Sequence, residues 1–145
     1  MSNFRWARLV PELMCTDLHK SIAFYRDVIG FAVLFERPED GFAYLHLGEA
    51  QLMLEQGFEG WLTGEMELPF GRGINLQLEV DDATALATRI ERAGHTLFDR
   101  CRRRWYRQEN IEHGQDEFLV QDPDGYLLRL ITPCGERAFA TEDDI

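Results

Sequence analysis

Polar side chains alternate with aliphatic ones in the segment Ile74–Val80, and this alternation predicts a strand with two unlike faces. Asn75, Gln77 and Glu79 share one face, because successive side chains of a strand point to opposite sides. The aliphatic face is expected to pack against helices. We therefore expect the amide and carboxylate groups of the other face to line a ligand cavity.

Three further segments present polar or aromatic side chains in the same way. Phe42, Tyr44 and His46 share a face of one predicted strand, and Glu55 ends the next one. Arg129 alternates with apolar residues on the last strand. Flat rings elsewhere in the chain can stack on a ligand. The residues predicted to bind a ligand are Glu12, Phe42, Tyr44, His46, Glu55, Trp61, Asn75, Gln77, Trp105, His113 and Arg129.

The side chain of Arg129 is open to three interpretations. It can pair with Glu55 or Glu12, bind an anionic group of a ligand, or point to solvent at the end of its sheet. Trp105 and Tyr106 raise a similar question, because alternation turns only one of the two rings inward. The alternative for each aromatic residue is ordinary packing in a core or an interface.

Composition limits the classes of function. The 15 basic and 26 acidic residues give a net charge of −11, which argues against nucleic acid and favours a cationic ligand, unless it serves solubility alone. The basic run 100–107 is predicted to protect an edge strand from aggregation, or to contact another subunit. With no signal peptide, no membrane-length apolar run and no metal-ligand spacing among Cys15, Cys101 and Cys134, we expect a cytoplasmic protein.

Two copies of one pattern, β-α-β-β-β, position these residues. The helices are predicted over 17–29, after the N-cap Thr16, and over 82–93, after Asp81 or Asp82. A glycine follows each helix and suits a left-handed stop. The equivalent junctions of the two copies are separated by nearly the same number of residues, which indicates a duplicated module.

The remaining elements set the boundaries of the modules. The modules run over about 8–56 and 73–132 of a single domain spanning 1–145, with a linker at 57–72 and an acidic tail at 134–145. Strands are predicted over 9–14, 31–36, 42–47 and 51–55 in the first copy, and over 74–80, 96–101, 103–108, 115–121 and 126–131 in the second.

The segments "DLHKSIAFYRDVIGF" (17–31) and "QDEFLVQDPDGYLLRL" (115–130) resemble the glyoxalase, bleomycin-resistance and extradiol-dioxygenase superfamily, often called vicinal oxygen chelate proteins. The resemblance covers residues 8–132. It implies an α+β fold of two βαβββ modules, which form an eight-stranded open cavity with the helices outside. The ligand is then expected on the concave face.

Enzymes of this superfamily hold a metal ion with four side chains, usually His, Glu or Gln. The corresponding positions here are Val10, Glu55, Asn75 and Arg129. Val10 has no donor atom, Asn75 is a weak oxygen donor, and the permanent positive charge of Arg129 would repel a divalent metal. The sequence departs from the superfamily's metal-binding pattern at three of these four positions, so we expect no bound metal and no cofactor, and an enzyme is not favoured.

The motifs "VPEL" (10–13) and "DEFLVQDPDGYLLRL" (116–130) resemble the bleomycin-resistance group in particular. This resemblance implies a metal-free antibiotic-resistance protein, without catalytic residues, that sequesters a small molecule at a homodimer interface. The ligand would be a drug such as a cationic glycopeptide antibiotic. Neither nucleic acid nor a membrane is an expected partner. The alternative is a glyoxalase-like metal-dependent lyase or isomerase with unusual ligands such as Glu55, His46 and His113.

Overall fold

Two four-stranded sheets carry the fold of residues 3–140, which are the residues described by the computed structural model. The chain divides into two units. The first contains the chain up to Gly73 and the turn Asp122–Tyr126, and the second contains Ile74–Gln121 and the chain from Leu127 onward. Each unit holds one sheet and one main helical segment in the order β-α-β-β-β, so the predicted α+β class and the duplicated module are confirmed.

The first sheet has a parallel edge and an antiparallel body. Its strands are β1 (Glu12–Met14), β2 (Ala32–Arg37), β3 (Phe42–Leu47) and β4 (Ala50–Glu55). They lie in the order β1-β4-β3-β2, with β1 parallel to β4 and the other pairs antiparallel. The aliphatic residues Leu13, Leu45 and Leu54 share one face and are almost fully buried.

The N-cap of the helical segment in the first module lies one residue later than predicted. Asp17, not Thr16, is the N-cap of α1 (Leu18–Ala23), because the Asp17 carboxylate accepts a hydrogen bond from the backbone N–H of Lys20 at 3.2 Å. The segment continues as a π-helix over Phe24–Ile29 and ends at the left-handed Gly30. The predicted helix over 17–29 is therefore confirmed in extent.

The hydroxyl of Thr16 instead binds the turn Asp122–Tyr126. It donates to Asp124 Oδ1 at 2.6 Å, and the hydroxyl of Tyr25 donates to Asp122 Oδ2 at 2.8 Å. Burial raises the pKa of the Asp122 carboxyl, which also accepts hydrogen bonds from the backbone of its own turn. This distant piece of sequence is thus anchored in the first module by a buried and a partly buried hydrogen bond.

The second sheet is built from longer strands. These are β5 (Asn75–Glu79), β6 (Asp99–Gln108), β7 (Ile111–Gln121) and β8 (Leu127–Ala138), in the order β5-β8-β7-β6. The helix α2 (Ala83–Arg92) is capped by the carboxylate of Asp82 and contacts β6, β7 and β8. The buried stripe of α2 faces an apolar sheet surface that includes Leu78, Phe118 and Leu130.

The second module differs from the sequence prediction in the bounds of its strands, and β7 begins at Ile111 instead of at 115. The segments 96–101 and 103–108 are not two strands, because β6 continues through a bulge between Asp99 and Arg102. The first residues of the predicted tail, 134–138, belong to β8 and pair with β7, whose backbone groups need partners along that edge. Residues 141–145 of the predicted tail lie outside the described residues.

The segment 57–72, predicted to be a linker, contains turns and bends but neither helix nor strand. Within residues 3–140, no helix is both long enough and apolar enough to cross a lipid bilayer.

Candidate ligand-binding face

One face of the first sheet collects aromatic rings and charged groups in two lines that cross the strands. The first line joins Arg37 on β2, Phe42 on β3 and Glu55 on β4, which are direct register partners. In the second line, Phe35 on β2 lies opposite Tyr44 on β3. Met53 on β4 then lies between Tyr44 and Glu12 on β1, as the register partner of both. We call this surface the aromatic face. It is the side of the sheet opposite Leu13, Leu45 and Leu54.

The rings of the aromatic face form a continuous platform. Phe35 stacks on Tyr44 with centroids 5.5 Å apart and planes 10° apart, and its centroid lies 5.9 Å from that of Phe42. The ring of Trp6 meets Tyr44 edge-on at 5.2 Å, yet 61% of Trp6 is exposed. Aromatic surface of this kind can stack on the flat part of a ligand.

Hydrogen bonds attach the backbone of residues 5–7 to one end of the aromatic face. The side-chain oxygen of Gln51 accepts hydrogen bonds from the Tyr44 hydroxyl at 2.5 Å and from the Ala7 backbone N–H at 2.9 Å. The side-chain nitrogen of Gln51 donates to the carbonyl of Arg5 at 2.7 Å. His46 lies opposite Gln51 on the same face. These contacts tie the ring of Tyr44 and the backbone of residues 5–7 to β4.

Two carboxylates and one guanidinium adjoin the rings. Burial and the neighbouring Glu55 carboxylate raise the pKa of Glu12, while the positive charge of Arg37 opposes that rise. The Arg37 guanidinium carbon lies 4.0 Å from the centroid of Phe42, and its Nε donates to Asp40 Oδ2 at 3.0 Å. The charged groups are therefore close enough to influence one another.

A depression of about 530 Å³ continues from this edge of the aromatic face. It brings together carboxylates from the turn before β3 and from the end of β4, with a pair of exposed rings from the segment after β4. Phe58 and Trp61 meet edge-on with centroids 5.3 Å apart, and 73% of Trp61 is exposed. The side chains that line the depression include Arg37, Glu39, Asp40, Glu55, Phe58 and Trp61.

The corresponding face of the second sheet carries a different kind of chemistry. Glu117 is only 2% exposed, and it accepts a hydrogen bond from the hydroxyl of Tyr106. Arg104 lies 3.9 Å from the same carboxylate. Burial and Glu117 raise the pKa of Tyr106, while Arg129 lowers it. We call these four residues the Glu117 cluster.

The sequence left the surroundings of the Arg129 side chain open, and the sheet register assigns them. Arg129 lies opposite Gln77 on β5 and Leu119 on β7, so the three share the face of the Glu117 cluster. Its buried Nε has no hydrogen-bond partner within the described residues. Asn75 and Gln77 are exposed on this same face, as the alternation of β5 predicts.

Trp105 and His113 do not join either group of residues. The ring of Trp105 covers Gly114 on the helix-facing side of β6 and stacks under the guanidinium of Arg137 at 4.1 Å. The alternation therefore places Tyr106, not Trp105, on the face of Glu117. One ring nitrogen of His113 lies 2.6 Å from Gln108 Oε1, and the other lies 3.3 Å from a Glu136 oxygen. The ligand-binding roles of Trp105 and His113 stay predictions.

The donors at the four superfamily metal positions do not fit a divalent ion. Val10 offers no donor atom and Arg129 carries a fixed positive charge beside Glu117. No three His, Cys, Asp or Glu residues in the described range 3–140 come together in a group that could hold a metal. Glu55 pairs across the sheet with Phe42 instead of joining other ligand side chains.

The sequence reasoning missed Trp6, Phe35, Arg37 and Phe58 as members of the site. A bulge between Val33 and Phe35 shifts the register of β2, and this shift is invisible in the alternation of its side chains. The available signal was the hairpin itself, since a short turn places Arg37 directly opposite Phe42.

The chain belongs to the glyoxalase/bleomycin resistance protein/dioxygenase superfamily, whose sequence model matches residues 7–130. It is 29% identical over 133 residues to a bleomycin resistance protein of Geobacillus stearothermophilus. That match covers 82% of this chain and 91% of the relative. A bleomycin resistance protein of Staphylococcus aureus strain MRSA252 matches with the same identity and coverage.

Solved structures share the fold. TioX from Micromonospora sp. ML1 aligns with a TM-score of 0.69 at 20% identity, covering 89% of this chain and all of TioX. A protein from the mobile metagenome of V. Pseudocholerae aligns with a TM-score of 0.68 at 20% identity, covering 91% of this chain and 98% of that one. At this identity the likeness shows the fold alone.

Proposed function

We propose that this protein is a metal-free binding protein that takes up a cationic, aromatic small molecule such as bleomycin and withholds it without covalent chemistry. The observation that carries the proposal is the aromatic face, where stacked rings adjoin Glu12, Glu55 and the acidic depression. Flat rings and fixed carboxylates together suit a ligand that is both flat and positively charged. The relatives named as bleomycin resistance proteins support this assignment.

Negative charge supports the proposal both close to the site and over longer distances. Within the depression, Glu39, Asp40 and Glu55 outnumber the single cation Arg37. The whole chain adds a net charge of −11, which raises the local concentration of cations around it. A cationic drug would be attracted over a distance and then held by ring stacking at close range.

Two finer features belong to the same proposal. We propose that two chains form a homodimer in the cytoplasm and that the ligand lies at their interface, as the family resemblance implies. The high exposure of Trp6 and Trp61 in a single chain supports a further covering surface. Sedimentation should give about twice the 16.9 kDa of one chain, and a monomer at high concentration would contradict the dimer.

Calorimetric titration with bleomycin tests the proposal at two salt concentrations. We expect saturable binding that weakens but persists in salt, since the Debye length falls from about 10 Å at 0.1 M to about 3 Å at 1 M while stacking is less affected. Elemental analysis of protein purified without chelator should find well under one equivalent of metal. Absence of binding at low salt would reject bleomycin as a ligand, and a stoichiometric metal would reject the metal-free assignment.

A further inference from the structure

Arg37 occupies a position that resembles a bound cationic ligand. Its guanidinium carbon lies 4.0 Å above the centre of the Phe42 ring and 5.9 Å from the centre of Phe35. Phe42 is almost fully buried, so its ring is fixed, whereas the Arg37 side chain is 45% exposed. A half-exposed cation therefore rests on a buried aromatic ring.

The acidic surroundings of Arg37 exceed what its own charge requires. Within residues 3–140, the one ion-pair hydrogen bond of Arg37 is accepted by Asp40 at 3.0 Å. Glu55 lies two strands away in the same cross-strand line, and the charge of Arg37 also reaches Glu12. One guanidinium thus serves several carboxylates, and the site could hold a further cation or exchange this one.

We infer that Arg37 is an internal substitute for the ligand, and that a flat, delocalised cation such as an amidinium or guanidinium group displaces it from Phe42. The inference rests on the proposed function and adds two elements to it. It names the chemical class of the recognised group, and it identifies Arg37 as a residue that limits affinity. Displacement is feasible because both side chains of the Arg37–Asp40 pair are about half exposed to water, where an ion pair adds little stability.

Planarity decides which cations can make the exchange. A guanidinium or amidinium group is flat and weakly hydrated, so it can lie on the Phe42 ring as Arg37 does. An alkylammonium group is compact and strongly hydrated, and it stacks less well on a ring. Ligands with a flat cationic group should therefore gain most when Arg37 is removed.

The test compares Arg37→Gln with Arg26→Gln. Arg26 also forms an exposed ion pair with a nearby aspartate, at 2.9 Å, so both variants remove one positive charge and one ion pair. Arg26 lies outside the depression. Dissociation constants are measured by NMR titration with benzamidine, its neutral isostere benzamide and the compact cation benzylamine. Thermal unfolding of both variants confirms that they fold.

We expect Arg37→Gln to bind benzamidine about tenfold more tightly than the unaltered protein, because the competing cation–π contact is gone. Arg26→Gln should change this affinity less than about twofold, and benzamide should show no gain in either variant. The gain for benzylamine should be smaller than for benzamidine. Equal affinities for the three proteins, an equal gain in Arg26→Gln, or no benzamidine binding at all would overturn the inference.

Bleomycin titrations of the same proteins separate this inference from the proposed function. If bleomycin fails to bind while Arg37→Gln gains affinity for benzamidine, the drug assignment fails and the flat-cation site stands. If bleomycin binds but Arg37→Gln shows no gain for benzamidine, the proposed function stands and Arg37 is not a substitute for the ligand.

Discussion

The two modules share one fold but differ in the chemistry of their sheets. In the first module, the face opposite the aliphatic core carries stacked rings, partly exposed carboxylates and an adjoining depression of about 530 Å³. In the second module, the equivalent face carries the buried Glu117 in contact with Tyr106 and Arg104. The carboxylates of the first face are partly exposed, whereas the carboxylate of Glu117 is paired within the protein.

Under the proposed function, this difference assigns ligand binding to one module and a structural charge cluster to the other. Glu55 and Glu117 are both carboxylates on the face away from the helices, yet only Glu117 is almost fully buried. A buried charge must be neutralised by nearby partners, whereas a partly exposed one can pair with whatever binds. The four predictions below exploit this contrast, from the largest expected effect to the smallest.

Two left-handed glycines should respond very differently to an added methyl group. Gly125 (φ 96°) in the turn of the first unit would place a Cβ 2.3 Å from the Pro69 side chain, whereas Gly94 (φ 95°) after α2 faces open space. Gly94→Ala should lower the free energy of unfolding by about 1 kcal/mol through backbone strain alone, and Gly125→Ala by about 3 kcal/mol. Urea denaturation measures both. Equal effects would show that the turn Asp122–Tyr126 is not held tightly by the first module.

Neutralising each carboxylate should affect different properties. Glu117→Gln weakens charged hydrogen bonds in a buried setting and should lower the free energy of unfolding by about 2 kcal/mol. Glu55→Gln should leave the unfolding free energy within about 0.5 kcal/mol but weaken bleomycin binding. Chemical denaturation and calorimetry of the two variants provide the comparison. A destabilised Glu55→Gln with unchanged binding would reverse the assignment of roles.

Substitution of Trp61 should affect ligand binding, whereas substitution of Trp105 should affect stability. Trp61→Ala removes an exposed ring of the depression and should weaken bleomycin binding about tenfold. Trp105→Ala removes a ring packed over Gly114 and Arg137, so it should lower stability by about 2 kcal/mol and leave binding within about twofold. Loss of binding in Trp105→Ala with an intact fold would support the original sequence prediction for Trp105.

The smallest effect concerns the pKa of Glu12. The neighbouring Glu55 carboxylate helps to raise this pKa, so Glu55→Gln should move it towards the usual glutamate value of about 4.3. Because protonation removes the charge of Glu12, the affinity for a cation should fall as the pH drops through its raised pKa. Carbon-detected NMR titration reports the pKa directly. Glu49→Gln, in the exposed turn between β3 and β4, is the control and should leave it unchanged.

The fold could be predicted largely from the sequence because periodicity and caps act locally. Alternation in Ile74–Val80 assigned the faces of β5, and the glycine stop placed the end of the first helical segment. The site was less accessible, because bulges in β2 and β6 shift the register by an amount that alternation does not reveal. Those bulges hid Phe35 and Arg37, and they left the choice between Trp105 and Tyr106 open.

The N-terminal contribution to the site could not be predicted for another reason. Trp6 reaches Tyr44 through an irregular segment that is held by side-chain hydrogen bonds of Gln51. Contacts of this kind join residues about 45 positions apart and follow no repeating pattern in the chain. Only the folded structure brings these residues together.

Mapping of bleomycin binding by NMR tests most directly whether the ligand-binding chemistry lies in the first module. Bleomycin is titrated into ¹⁵N-labelled protein, and the backbone and tryptophan side-chain shifts are followed. We predict that the largest changes occur at Arg37, Tyr44, Glu55 and Trp61, with much smaller changes at Tyr106 and Glu117. Saturable changes concentrated on the Glu117 cluster, with the aromatic face unaffected, would contradict the proposal.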